Sequence, residues 1–174
     1  DKRIENYGQK GYVLGNKGID FIKYSENTTE NMQIGYDWLK ESIELEKHKS
    51  GASELLMFMQ ASNALQQAGT FDAGKVVEDY GIVSEIIDYI LAKGSAKDKK
   101  NIERAKPAID QIFEGVATCD DLVPFYTTKF EETPEDIDFL KNSTNLLRSL
   151  KCTDGLFFTM VDKLNSLEPT AELA

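Results

Sequence analysis

The 174-residue chain holds few side chains able to make or break bonds: one histidine, two cysteines and a surplus of carboxylates. His48 follows Glu44-Leu45-Glu46-Lys47 at the end of a helical pattern, where positive charge would suit the helix dipole. That position predicts a capping or solvent role, and a single histidine excludes the usual His-rich zinc sites. Cys119 and Cys152 each precede an acidic residue at a helix start. A helix N-terminus activates a thiol, but Asp120, Asp121 and Asp154 oppose it and no histidine is near in sequence. Asp120-Asp121 and Glu131-Glu132 carry hard oxygen ligands without the spacing of a calcium loop. Glu135-Asp136-Ile137-Asp138 reads as helix-start acid. Gly11, Gly15 and Gly18 resemble a phosphate loop only loosely, since no Gly-Lys-Ser/Thr follows and no strand precedes. Glycines at that spacing are expected to let two helices approach closely. No catalytic, cofactor-binding or metal-ligating residue is therefore assigned.

Two cysteines allow one disulfide or two buried thiols, and no CxxC pair exists. Buried thiols are the expectation, because each cysteine falls at a helix–helix joint and regularly stacked helices lie roughly 10 Å apart. Trp38 and Tyr36, beside Ile34 and Leu39, are expected in the core. Asn27-Thr28-Thr29 and Asn142-Ser143-Thr144 match the glycosylation sequon, which has meaning only in a eukaryotic secretory chain.

The elements that carry these residues are helical throughout. Leu156, Phe157, Met160, Val161, Leu164 and Leu167 trace one face of a helix, and Ile137, Leu140, Leu147 and Leu150 trace another just upstream. Lys151 to Gly155 is a short polar turn between them, so the pair predicts an antiparallel hairpin. Thr133-Pro134-Glu135-Asp136 supplies a capping residue and a first-turn proline, and Leu167-Glu168-Pro169 closes the hairpin. The same layout gives hairpins over 9–47, 52–93, 98–132 and 135–167, with a further helix starting at 170–174. Asn27 with Glu30 predicts a capping box, and Asp72 a cap. Pro124 is tolerated in a first turn, whereas Pro107 should kink its helix or split it after Lys106.

Composition sets limits on partners. A net charge of −10 repels nucleic acid and anionic membrane surfaces. No apolar run reaches the length of a membrane span. The chain starts at Asp1 without methionine, which fits a processed or excised form. The missing signal peptide therefore leaves cell envelope and cytoplasm both open.

The spacing of the hairpins is the most informative feature. Leu122, Tyr126 and Phe130 recur as Leu156, Met160 and Leu164, each 34 residues later, and the two cysteines are 33 apart. One hairpin cannot bury its apolar face alone, so hairpins stack and share a core. Leu14, Lys17-Gly18, Phe21, Gly35, Leu39 and Ser42-Ile43-Glu44-Leu45 follow the pattern of a tetratricopeptide (TPR) unit, as do Leu140, Leu147, Val161, Leu164 and Leu167-Glu168-Pro169. Ser143-Thr144 departs from it, standing where Leu-Gly is expected. The chain thus resembles a divergent bacterial TPR array over nearly its whole length.

That resemblance implies an all-α, right-handed α-α superhelix of about four hairpins in one domain over residues 1–174. It implies a scaffold that holds a protein or peptide partner, and not an enzyme. First helices should line the concave side, which puts Asn63, Gln66 and Gln67 there, with Asp138, Lys141, Asn145 and Arg148 from the last hairpin. Lying opposite the apolar stripes, these seven have no expected packing duty. Two alternatives are a structural module of a larger envelope protein and a helical enzyme domain, the second opposed by the lack of a nucleophile. Oligomeric state is not legible.

Overall fold

A computed structural model describes residues 10–115 and 118–168. Among them the chain forms eight α-helices and no strand: α1 (Lys10–Tyr24), α2 (Thr29–Leu45), α3 (Ala52–Gln67), α4 (Ala73–Lys93), α5 (Ala96–Glu114), α6 (Cys119–Glu132), α7 (Ile137–Ser149) and α8 (Gly155–Leu167). The further helix expected at 170–174 lies outside the described residues.

Local chemistry sets the helix starts. Asp72 caps α4 by accepting the Lys75 N–H at 2.8 Å, as its position predicts. The α2 cap is Thr28, which accepts the Asn31 N–H at 3.2 Å, and not Asn27. For α7 the cap is Asp136, accepting the Phe139 N–H at 2.9 Å; Thr133 and Pro134 fall in the turn before it. A carboxylate accepts an amide as a charge-assisted bond, which favours Asp136 over the threonine upstream. Asp121 is occupied in the same way, accepting from the backbone and hydroxyl of Thr118 at the start of α6.

Pro107 does not divide its helix: α5 runs through it from Ala96 to Glu114. Its ring is exposed, while Ile102, Ile109 and Phe113 on the other side are fixed in the core. The carbonyl of Glu103, which loses its usual partner, belongs to an exposed residue and can turn to water.

The chain separates into two compact units, with the boundary between Val116 and Ala117. The two helices of the expected third hairpin, α5 and α6, therefore belong to different units. In the first unit, α1 packs along α2, α3 along α2 and α4, and α4 along α5. The first helices of successive pairs also touch, α1 with α3 and α3 with α5. Leu39, Leu55, Phe58, Met59, Leu65 and Ile86 are among the fully buried side chains between them.

Glycines permit the closest of these contacts. A Cβ at Gly18 would come within 3.0 Å of the Gly35 carbonyl and 2.8 Å of Leu39, and one at Gly35 would strike Ile22. Ser42, fully buried on α2, donates to the Gly11 carbonyl at 2.7 Å. The packing role expected of Gly11 and Gly18 is what the helices use.

In the second unit α6, α7 and α8 all pack on one another around Leu122, Tyr126, Leu140, Leu147, Phe157 and Met160. Ser143 and Thr144 are buried here, yet each hydroxyl donates at 2.6 Å to the carbonyl four residues back. Small side chains that satisfy their own polarity replace the expected Leu-Gly pair.

Cys119 and Cys152 form a disulfide, against the expectation of two thiols. The spacing between helix bodies does not govern this pair, because Cys152 sits in the turn after α7 and Cys119 at the first residue of α6. Lys151 adopts the left-handed conformation (φ 60°), which brings the Cys152 N–H back to the Leu147 carbonyl at 2.8 Å. Cys152 is buried there, and the two Cα atoms stand 5.4 Å apart, within the range a disulfide spans.

Candidate functional site

The first unit carries a groove of about 460 Å³ where α1, α3 and α5 lie side by side. That volume falls within the range of ligand clefts, roughly 300–1,000 Å³. Asn16 and Ile19 come from α1, Ser53 and Glu54 from the first turn of α3, and Asn101 and Arg104 from α5. The two α5 residues are three apart and so share one helical face. Asn16, Ser53, Asn101 and Arg104 are exposed, and Arg104 makes no ion pair with any described residue.

Glu54 is the half-buried acid of the groove. Its carboxylate accepts the Gly51 N–H at 3.0 Å. It leans on Gly15, where a Cβ would collide with it. Burial pushes its pKa above the ordinary value of 4.5, the Gly51 amide pulls it down, and the nearby charge of Glu46 pushes it up again.

A smaller hollow of about 210 Å³ adjoins the groove through Gly51, Ala52 and Asn101. His48 stands on its rim, exposed and stacked on Tyr89 with ring centres 3.8 Å apart. Helix-end placement is right, but an aromatic partner holds the ring.

The densest polar cluster is one that sequence reasoning missed. Asp79, fully buried on α4, accepts hydrogen bonds from Tyr36 on α2 at 3.1 Å, Ser62 on α3 at 2.7 Å and the Lys75 ammonium at 2.5 Å. The Lys75 ammonium also lies over the rings of Tyr36 and Phe71, 5.8 and 5.9 Å from their centres. Burial, followed by the Asp79 charge, raises the Tyr36 pKa far above its usual range. A carboxylate with Lys, Tyr and Ser neighbours could transfer protons in an open site. Here Asp79, Ser62 and Tyr36 are sealed from solvent, so the cluster knots three helices together. One signal marked it: Asp79 stands three places after Val76 and four before Val83, inside the apolar stripe.

The seven expected contact residues fall in two groups. Asn63 and Gln66 are half-buried and Gln67 exposed on α3, with the Gln67 amide donating to Asn63 at 3.2 Å. They lie on α3 about 15–21 Å along the axis from Ser53, at 1.5 Å per residue. Asp138, Lys141, Asn145 and Arg148 are exposed on α7 in the second unit. Two of these do have internal contacts: Lys141 pairs with Glu168 at 2.6 Å, and the Arg148 guanidinium lies 5.6 Å from the Phe157 ring centre. Trp38 is half-buried, edge-on to Phe21 at 5.2 Å and covered by the Lys17 ammonium at 3.8 Å, while Tyr36 is core as expected.

No helix among the described residues is long and apolar enough to cross a membrane. Set against protein-family models, characterised proteins and solved structures, the chain matches none of them.

Proposed function

We propose that this protein is a TPR-like scaffold that binds a peptide segment or a partner protein on the face formed by its first helices. One observation carries the reading: α1, α3 and α5 touch in succession and leave a groove edged by exposed polar side chains. Helices that approach along one layer curve the stack toward that layer, which is how helical-hairpin arrays present a concave binding surface. Arg104 adds a cation with no internal partner among the described residues. Asp79, Ser62 and Tyr36 are buried, so this cluster serves the packing of α2, α3 and α4 and leaves the groove as the exposed polar surface.

The test fills the groove. Asn16→Trp with Ser53→Trp changes two exposed positions and should leave the fold intact. Partner proteins recovered from the native organism with the unaltered chain should be lost with this variant. Retention of every partner would refute the reading. Lys141→Glu with Arg148→Glu asks the same of the α7 strip, where unchanged partner binding would mark it as an ordinary solvated face.

A second reading, a structural module of a larger bacterial envelope protein, is favoured by the Cys119–Cys152 disulfide. Such bonds persist in oxidising compartments. Alkylation of the protein in intact cells, with both thiols blocked before lysis, should find neither cysteine modified; two alkylated cysteines would exclude this reading.

A further inference from the structure

Charge is distributed unevenly on the groove. The chain as a whole is acidic, yet six of its twenty Lys and Arg residues fall within residues 93–106, beside only Asp98 and Glu103. Lys97 precedes Asn101 by four places and Lys100 precedes Arg104 by four, so both share the groove-facing flank of α5. Lys97, Lys100 and Arg104 are all exposed. Among the described residues none of the three makes an ion pair, so all three charges are free to meet a ligand. Beside a cleft, such a cluster of free cations makes the local field positive in an otherwise acidic molecule and favours an anion there.

We propose that the groove across α1, α3 and α5 takes an acidic segment of a partner protein, with its carboxylates along Lys97, Lys100 and Arg104. This rests on the reading of the groove as a protein-binding surface. The three cations are separated by about 4.5 and 6 Å of helix axis. Alternate side chains of an extended peptide recur about every 6.6 Å, a spacing that flexible Lys and Arg stems can follow. Asn16, Ser53 and Asn101 then offer hydrogen bonds to the peptide backbone across the groove. Glu54, whose carboxylate is turned to the Gly51 amide, disfavours an acid deep in the cleft and leaves the ridge as the place for charge.

The experiment uses the full chain and a fluorescein-labelled peptide of alternating Glu and Ser, blocked at both ends, beside its Gln-for-Glu counterpart. Fluorescence anisotropy should show the Glu peptide binding about tenfold or more tighter than the Gln peptide, with affinity falling as salt rises. K97E/K100E/R104E should abolish the difference, and K23E, on α1, should not. Far-UV circular dichroism and the melting temperature check that the triple variant is folded. Equal binding of the two peptides, or an unchanged preference in the triple variant, would overturn the proposal. So would tighter binding of a single-stranded RNA than of the Glu peptide, or salt-sensitive self-association through the same three residues. A natural partner that is lost with Asn16→Trp/Ser53→Trp but held by K97E/K100E/R104E would refute only the acidic-segment inference. Loss with neither variant would refute the groove reading itself.

Discussion

Replacing both cysteines, Cys119→Ala with Cys152→Ala, tests what holds the second unit together. The bond closes a loop of 33 residues. Loop closure of that length restricts the unfolded chain by about 3.7 kcal/mol at room temperature, from the logarithmic dependence on loop size. The unit itself is small, three helices around about seven buried apolar side chains. A core in this size range rarely supplies more than roughly 3–5 kcal/mol. Removing the bond should therefore bring the second unit close to its unfolding midpoint at 25 °C and unfold it largely at 37 °C. Alanine keeps the buried Cys152 position apolar, so the loss reports the crosslink and not a stranded hydroxyl. Hydrogen exchange read by mass spectrometry resolves the two units: peptides from α6, α7 and α8 should lose protection while those from α3 and α4 keep theirs. A reducing agent acting on the unaltered chain should reproduce the pattern. If α6 to α8 stay protected within about 1 kcal/mol of the oxidised chain, the crosslink is not what stabilises this unit.

Three further outcomes follow from particular contacts. Asp79→Ala strands the buried Tyr36 and Ser62 hydroxyls and leaves the half-buried Lys75 ammonium without its partner, so urea unfolding of the first unit should show a loss of about 2–4 kcal/mol; a loss under 1 kcal/mol would mean that the knot is dispensable. Glu54 has a folded-state pKa raised above its unfolded value, so the folded chain holds that proton more tightly and stability falls as pH rises through the window above 4.5. Glu54→Gln should accordingly raise the urea midpoint at pH 7 and leave it unchanged below that window, and a lower midpoint at pH 7 would contradict the burial argument. Lys151→Gly relieves a left-handed residue in the α7–α8 turn and should stabilise the second unit by up to about 1 kcal/mol in thermal unfolding, with any destabilisation counting against it.

Helices were legible because one residue face repeats the same apolar choice. Leu140 and Leu147 stand one heptad apart, as do Phe157 and Leu164, and Asp72 precedes its helix with the right acceptor. The errors lie where two local signals compete. Thr28 and Asn27 are both capping residues, and only the path of the chain into α2 selects the threonine. Of the two outcomes expected at Pro107, a kink or a split, the split does not occur, because the penalty depends on which side of the helix faces water. For the cysteines, a 33-residue separation matches a repeat interval between helix bodies, whereas the bond joins a turn to a helix start. The left-handed turn at Lys151 that brings them together has no glycine to announce it.

The groove was harder to read for a geometric reason. Periodicity assigns a face to each helix, and the register that selected Asn63 and Gln67 does select the stripe of α3 that continues from Leu56, seven places earlier. It says nothing of where along that stripe the neighbouring helices leave a space. That depends on how α1 and α5 meet α3, and Gly15 helps to set it by making room for Glu54. Asn16, Ser53 and Arg104 individually look like any solvated helix residue, and only their convergence distinguishes them. The cationic ridge, by contrast, was present in the sequence as an excess of Lys and Arg over residues 93–106 in an acidic chain. Net charge concealed it, because −10 is a sum over the molecule, whereas a ligand in the cleft responds to charges within about a Debye length, near 8 Å at physiological salt. Partner chemistry for such a chain should therefore be inferred from the charge beside its cleft, and here the two have opposite sign.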